Sequence, residues 1–162
     1  MTAKRNIYWT ICMEYDQDLL NAAFDIWQKS TAAPPPSAAP ALDIQSLAPA
    51  LRNKSAREGF GELFGIQGPD EPLLNLNVSA TWTDEKDDEA VTSLTRKIVA
   101  DIEELARNRG CYMPFKYMNY AHREQDVIGS YGFEKQAFLR GVSAKYDPQR
   151  VFQKLQTGPF KL

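Results

Sequence analysis

Tyr117, Asn119 and Tyr120 are the residues whose types and spacing could do chemistry. In the run Lys116-Tyr117-Met118-Asn119-Tyr120, an extended backbone turns Phe115, Tyr117 and Asn119 to one side. Lys116, Met118 and Tyr120 turn to the other. A phenol and a carboxamide then sit side by side, a pair able to hydrogen-bond a polar planar ring. A tyrosine can act as a general base when its surroundings lower a pKa that is about 10 in free solution. A second row of hydrogen-bonding groups, Asn75, Asn77, Ser79 and Thr81, occupies alternate positions between Leu73 and Trp82. On residue types alone, both patterns have plainer readings. Aromatic-rich strands belong to cores, and a row of small polar groups is a solvated face.

Other chemistries find less support. His122 is the only histidine and has no thiol at ligand spacing, so a zinc site is not expected. Glu85, Asp87, Asp88 and Glu89 read as the acidic first turns of a helix, not as a metal site. The glycine-rich run from Gly59 to Gly65 lacks the third glycine of a dinucleotide-binding loop and reads as a mobile loop. Ser55 and Ser130 lack the context of a nucleophile elbow. Cys12 and Cys111 read as two buried thiols, since two cysteines do not make a disulfide scaffold.

The elements that must position these residues follow from periodicity. The 162 residues suit one domain with a real core. Ile7, Trp9, Ile11 and Met13 alternate with Tyr8, Thr10, Cys12 and Glu14, which predicts a strand over 6–14. Asp16 caps a helix that runs to about Lys29. The Ala- and Pro-rich segment from Ser30 to Pro40 is a surface loop, followed by a second strand over 41–47. A short helix is expected near 50–57 in an otherwise loop-like stretch. The clearest strand spans 73–82, with Leu74, Leu76, Val78, Ala80 and Trp82 on its apolar face. Thr83 or Asp84 starts a long helix whose seam is Val91, Leu94, Ile98, Ile102 and Leu105, and Gly110 stops it. Residues 112–120 are expected to be extended, and a last helix covers 134–146. This order predicts an α+β fold, an antiparallel or mixed sheet with helices on one face. The Asn75/Asn77 face is left open, toward a second domain or a flat ligand.

The net charge is −2 with no basic block, which argues against a nucleic-acid partner. No run of about 18 apolar residues offers a membrane span. The N-terminus leads into a strand, not a signal-peptide hydrophobic region. Localisation stays open.

Tyr117-Met118-Asn119-Tyr120-Ala121 resembles the Tyr-x-Asn-Tyr segment of the berberine-bridge-enzyme-like oxidoreductases, flavoenzymes with a PCMH-type FAD-binding domain. Ser130-Tyr131-Gly132, Lys145-Tyr146-Asp147-Pro148, Val151-Phe152 and the closing Gly158-Pro159-Phe160-Lys161-Leu162 are similar to the C-terminal end of fungal FAD-linked oxidases of secondary metabolism. Ser79-Ala80-Thr81-Trp82 and Asn53-Lys54-Ser55-Ala56 agree with that likeness.

The resemblance implies a C-terminal, substrate-binding domain over 1–162 whose open face roofs FAD and lines a small-molecule pocket. It implies Tyr117 as catalytic base, Asn119 and Tyr120 near the flavin, and, from strand position, Asn75 and Asn77 on the substrate wall. The reaction implied is hydride transfer from an alcohol, amine or related substrate to flavin, reoxidised by dioxygen. The histidine that tethers FAD in the family has no counterpart here, since His122 lies beyond the motif. The FAD-binding domain is therefore expected from elsewhere, and the chain alone is expected to be incomplete as an enzyme. The other reading is a non-catalytic α+β module for a small ligand or a dimer, or a degenerate remnant.

Overall fold

The computed structural model describes residues 4–50, 66 and 72–162. The expected helix near 50–57, the Asn53-Lys54-Ser55-Ala56 match and the run from Gly59 to Gly65 lie essentially outside the described residues.

Four strands form one antiparallel sheet among the described residues, β1 (Arg5–Glu14), β2 (Ala39–Leu47), β3 (Leu73–Trp82) and β4 (Tyr112–Met113), in the order β2-β3-β1-β4. β1 and β3 pair over their full ten residues, with Trp9 opposite Val78 and Ile11 opposite Leu76. That register puts the apolar sets of both strands on one face, as strict alternation requires. Helix α1 (Gln17–Ser30) starts where the Asp16 side chain accepts the Leu19 amide at 2.6 Å. Helix α2 (Asp88–Asn108) follows a 3-10 turn at Glu85–Asp87 that Asp84 caps. It ends before Gly110, whose φ of 72° suits a residue without a side chain.

Leu19 and Ala23 of α1 and Val91, Ile98 and Ile102 of α2 pack on Ile7, Ile11, Leu76 and Val78. Each fully buried large side chain there contributes about 1.5–3 kcal/mol by leaving water. The α+β architecture expected from the sequence is therefore present, with α1 and α2 on the Leu74/Leu76 face.

The acids around the start of α2 serve as anchors. Asp87 Oδ2 accepts from the Ser37 amide at 2.9 Å and from its hydroxyl at 2.6 Å, which ties down the proline-rich loop. Those two bonds hold the Asp87 carboxyl below its ordinary pKa. Asp88 accepts from the Trp82 indole N–H at 2.5 Å and pairs with Arg5 at 3.0 Å.

The 112–120 segment departs from expectation. Strand pairing covers only Tyr112 and Met113, and Met118–Tyr120 is a 3-10 turn. Pro114 has no N–H to continue the ladder. The edge of β1 beyond Cys12 is also occupied: Gln125 Oε1 accepts the Thr10 amide at 3.0 Å, and Gln125 Nε2 donates to the Thr10 carbonyl at 2.8 Å. One side-chain amide thus stands in for a strand partner. Helices α3 (Val127–Ser130), α4 (Phe133–Tyr146) and α5 (Val151–Leu155) close the chain.

Candidate functional site

The face opposite α1 and α2 carries Tyr8, Thr10 and Cys12 of β1, Asp43 and Gln45 of β2, and Asn75, Asn77, Ser79 and Thr81 of β3. Its two ends differ. Cys12 and Leu73 are covered by a second apolar cluster built with Phe115, Val127 and Tyr131. Toward the other end Tyr8 and Thr81 are exposed. The face is thus open along only part of its length, because the chain from Met113 to Tyr131 folds back over one end.

Tyr117, Asn119 and Tyr120 come together at the margin of that fold-back. Asn119 Nδ2 donates to the Tyr117 hydroxyl oxygen at 3.0 Å. The Tyr117 and Tyr120 rings meet edge to face, 5.3 Å between centroids. Tyr120 lies 6.2 Å from the ring of Tyr8, and its hydroxyl accepts from Gln45 Nε2 at 3.2 Å. An extended segment would have sent Tyr120 away from Tyr117. The 3-10 turn brings it back to the same side. Lys116 does leave in the other direction, to an ion pair with Glu103 of α2.

Tyr117 and Asn119 also line a cavity of about 320 Å³ with Leu47, Ile66, Phe115, Met118 and Tyr131. That is the small end of the range for small-molecule sites, and its mix of apolar walls with a few polar atoms fits such a site. Burial pushes the Tyr131 phenol above its ordinary pKa.

Asn75 and Asn77 occupy a different place. Asn75 is fully buried, and its Oδ1 accepts from the Thr10 hydroxyl at 2.5 Å. Asn77 donates to Asp43 Oδ2 at 3.1 Å. Asn75 Nδ2 and Asn77 Oδ1 are buried without a hydrogen-bond partner among the described residues. Each such group costs about 1–3 kcal/mol. Neither asparagine lines the Tyr117 cavity. Asn75 lies across the strands from Gln45, whose amide donates to Tyr120.

Sequence reasoning did not single out Tyr8, Asp43, Gln45 or Gln125 as site residues. The first three carry the period-two signal of their strands, since each falls on the polar side. Gln125 carries no local signal, because its partner Thr10 is 115 positions away.

His122 flanks the site without joining it. Its ring stacks on Trp9 at 4.1 Å, and burial holds its pKa below the ordinary 6.5. The unfolded chain then takes up this proton at a higher pH than the folded chain does. Stability from this group is full above about pH 6.5 and is lost as pH falls through the lower folded pKa. The urea midpoint is expected to drop between about pH 7.5 and about pH 5.5, and His122→Phe, which keeps a ring on Trp9, is expected to flatten that drop. An equal drop in both proteins would remove His122 from the account.

Cys12 is buried and Cys111 half-buried, both as thiols. No helix among the described residues is long and apolar enough to cross a membrane.

The chain is similar to fungal proteins named as flavin enzymes. It is 39% identical over 124 residues to the FAD-dependent monooxygenase tpcD of Cochliobolus heterostrophus, a match covering 76% of this chain and 24% of that protein. It is 37% identical over 119 residues to the FAD-dependent monooxygenase sdcF of Emericella nidulans, covering 74% and 25%. A protein named oligopeptidase PhomG' of Diaporthe leptostromiformis is 29% identical over 162 residues, which is 98% of this chain but 13% of that protein. Most of that protein therefore lies outside the shared part. The chain spans about a quarter of the length of the two monooxygenases. No family model and no solved structure matches it significantly.

Proposed function

We propose that this chain is the substrate-facing part of a FAD-dependent oxidoreductase of the berberine-bridge-enzyme-like, PCMH-type class. In this reading residues 1–162 act as one unit and the FAD-binding part is supplied by another segment or protein. The observation that carries the proposal is the cluster of Tyr8, Gln45, Tyr117, Asn119 and Tyr120. It combines flat rings with neutral hydrogen-bonding groups, two of which, Tyr117 and Asn119, line a cavity. Similarity to proteins named FAD-dependent monooxygenases supports the same reading.

The residues suit one portion of the cofactor. A planar heterocycle with amide and imide edges needs neutral donors and acceptors and aromatic contact. The strand residues of this face supply these and include no Lys or Arg. The diphosphate then belongs to the other part of the assembly. Bound FAD would supply a two-electron acceptor.

In the proposed roles, Asn119 and Tyr120 face the flavin edge, and Tyr117, acting as its phenolate, accepts the proton that leaves a substrate hydroxyl or amine as its carbon gives up a hydride to the flavin. Leu47, Phe115 and Tyr131 shape an apolar, water-poor cavity around that proton transfer. Asn75 and Asn77 lie outside that cavity, and in this reading they support the face from within through Thr10 and Asp43.

A chimera tests this proposal: the matching quarter of tpcD is replaced by this chain and the purified protein is loaded with FAD. Under argon, a member of a panel of alcohols and amines is expected to bleach the flavin absorbance. Air is then expected to restore it with about one hydrogen peroxide per substrate oxidised, as hydride transfer to flavin and reoxidation by dioxygen require. Incorporation of labelled dioxygen into the product would replace the hydride step by the oxygen insertion that the relatives' names denote. A flavin-loaded chimera that no substrate bleaches would remove the catalytic reading.

A further inference from the structure

Leu47, Ile66, Phe115, Met118 and Tyr131 give the cavity beside Tyr117 a wall made mostly of carbon. The Phe115 and Tyr131 rings lie 6.0 Å apart between centroids and 22° from parallel, so part of that wall is flat and aromatic. The described residues that bring polar side chains to it are Tyr117, Asn119 and Tyr131. Asn119 already donates to the Tyr117 oxygen, and burial keeps the Tyr131 phenol neutral.

None of the described lining residues is Asp, Glu, His, Lys or Arg. Lys116, next to Tyr117 in the chain, turns its ammonium to Glu103 of α2 instead. Two larger concavities among the described residues do carry charge. One of about 410 Å³ is walled by Arg140, Asp147 and Arg150, and one of about 380 Å³ by Glu134 and Lys135. The lack of charge is therefore particular to the Tyr117 cavity and not a general property of the surface.

That wall discriminates between classes of substrate. A protonated amine would leave water without meeting a counter-charge, which is among the costliest burials. A sugar would bring several hydroxyls to a single hydroxyl–carboxamide pair, and each hydroxyl left unpaired weakens binding by about tenfold. An uncharged alcohol with a flat apolar body incurs neither cost.

We infer that the cavity selects an uncharged alcohol with an apolar, ring-containing body and a single hydroxyl directed at Tyr117, and rejects ammonium and polyol substrates. This rests on the flavin-dependent reading proposed above and narrows its substrate class. Oxidation of such an alcohol breaks its carbinol C–H and O–H bonds. The hydride goes to the flavin, the proton to the Tyr117 oxygen, and an aldehyde or ketone remains.

The test measures binding to the full chain by calorimetry at about pH 7.5, with naphthylmethanol, naphthylmethylamine and glucose as probes. The first two share one body, and the amine is an ammonium at about pH 7.5. Wild type is expected to bind the alcohol at least about tenfold more tightly than the amine, and glucose not measurably. Met118 is an exposed part of the wall, so Met118→Asp adds a carboxylate there without opening the core. This variant is expected to narrow the alcohol-to-amine ratio by about tenfold, and Met118→Asn, which lacks the charge, to leave it in place. Amine or glucose binding as tight as that of the alcohol, or no binding of the alcohol, would overturn the selection. So would a ratio that Met118→Asp leaves unchanged. The flavin-loaded chimera separates this inference from the reading beneath it. Bleaching by the amine or glucose but not by the alcohol would overturn the selection and keep the flavin-dependent reading. Preferential binding of the alcohol with no bleaching by any substrate would keep the selection and overturn the catalytic reading.

Discussion

Tyr117→Phe, placed in the flavin-loaded chimera, is expected to slow flavin reduction by about 10²–10⁴-fold and to change substrate Kd by less than about tenfold. The substitution removes one oxygen and leaves the ring, its edge-to-face contact with Tyr120 and its share of the cavity wall. Ground-state packing is therefore nearly preserved. What is lost is the atom that receives the proton. Asn119 Nδ2 already donates to that oxygen from 3.0 Å, so the oxygen is held in position for the transfer and need not be reoriented. Anaerobic stopped-flow absorbance measures the reduction rate, and its dependence on substrate concentration gives the Kd. Equal rates in the two proteins would reduce Tyr117 to a packing residue. A raised Kd with an unchanged limiting rate would make its hydroxyl a substrate anchor.

Gln125→Ala is expected to cost about 2–4 kcal/mol of stability, more than an ordinary surface substitution. The Gln125 amide pairs with both backbone groups of Thr10, a fully buried residue, and its oxygen also accepts from the His122 amide at 3.0 Å. Truncation leaves those backbone groups without partners, and buried backbone groups without partners are rare because they are costly. The cost also has a place. The 117–125 segment loses the clamp that holds it to β1, so the contacts of Tyr120 with Tyr8 and Gln45 are expected to loosen. Urea denaturation measures the first effect, and amide exchange at Thr10 and Tyr120 the second. Gln125→Glu keeps the acceptor and loses the donor, so it is expected to fall between wild type and the alanine variant. A loss under about 0.5 kcal/mol for Gln125→Ala would show that water replaces the clamp.

The parts of the fold legible in the sequence are those set by local rules. Ten alternating positions in β1 and ten in β3 specify both the strands and the face that each buries. Asp16, the acids near Asp88 and Gly110 mark the ends of α1 and α2 through helix-end chemistry. The segment after Gly110 is less legible because long-range contacts decide it. Alternation predicts an extended run to Tyr120, but Pro114 ends the ladder and Gln125 takes the remaining edge of β1.

The candidate site divides in the same way. The Tyr117–Asn119 contact is anticipated from their spacing, yet a turn makes it, not a strand. The involvement of Tyr120 depends on that turn. Asn75 is legible as a polar-face residue but not as a buried one, because its cover comes from chain far away in sequence. Phe138, Val142 and Tyr146 of α4 look, as a pattern, like the seam of a core-facing helix, and only the three-dimensional arrangement reveals that they are exposed.

The central claim is that the Tyr8/Gln45/Tyr120 face meets the flavin ring. The most direct measurement is the flavin absorption and fluorescence of the chimera beside those of the same chimera carrying Tyr120→Leu and Gln45→Leu. The account predicts that the wild-type sequence quenches the flavin emission through ring contact and shifts its visible bands through hydrogen bonding, and that each substitution reverses its own share. Identical spectra in all three proteins, with FAD bound in each, would contradict it.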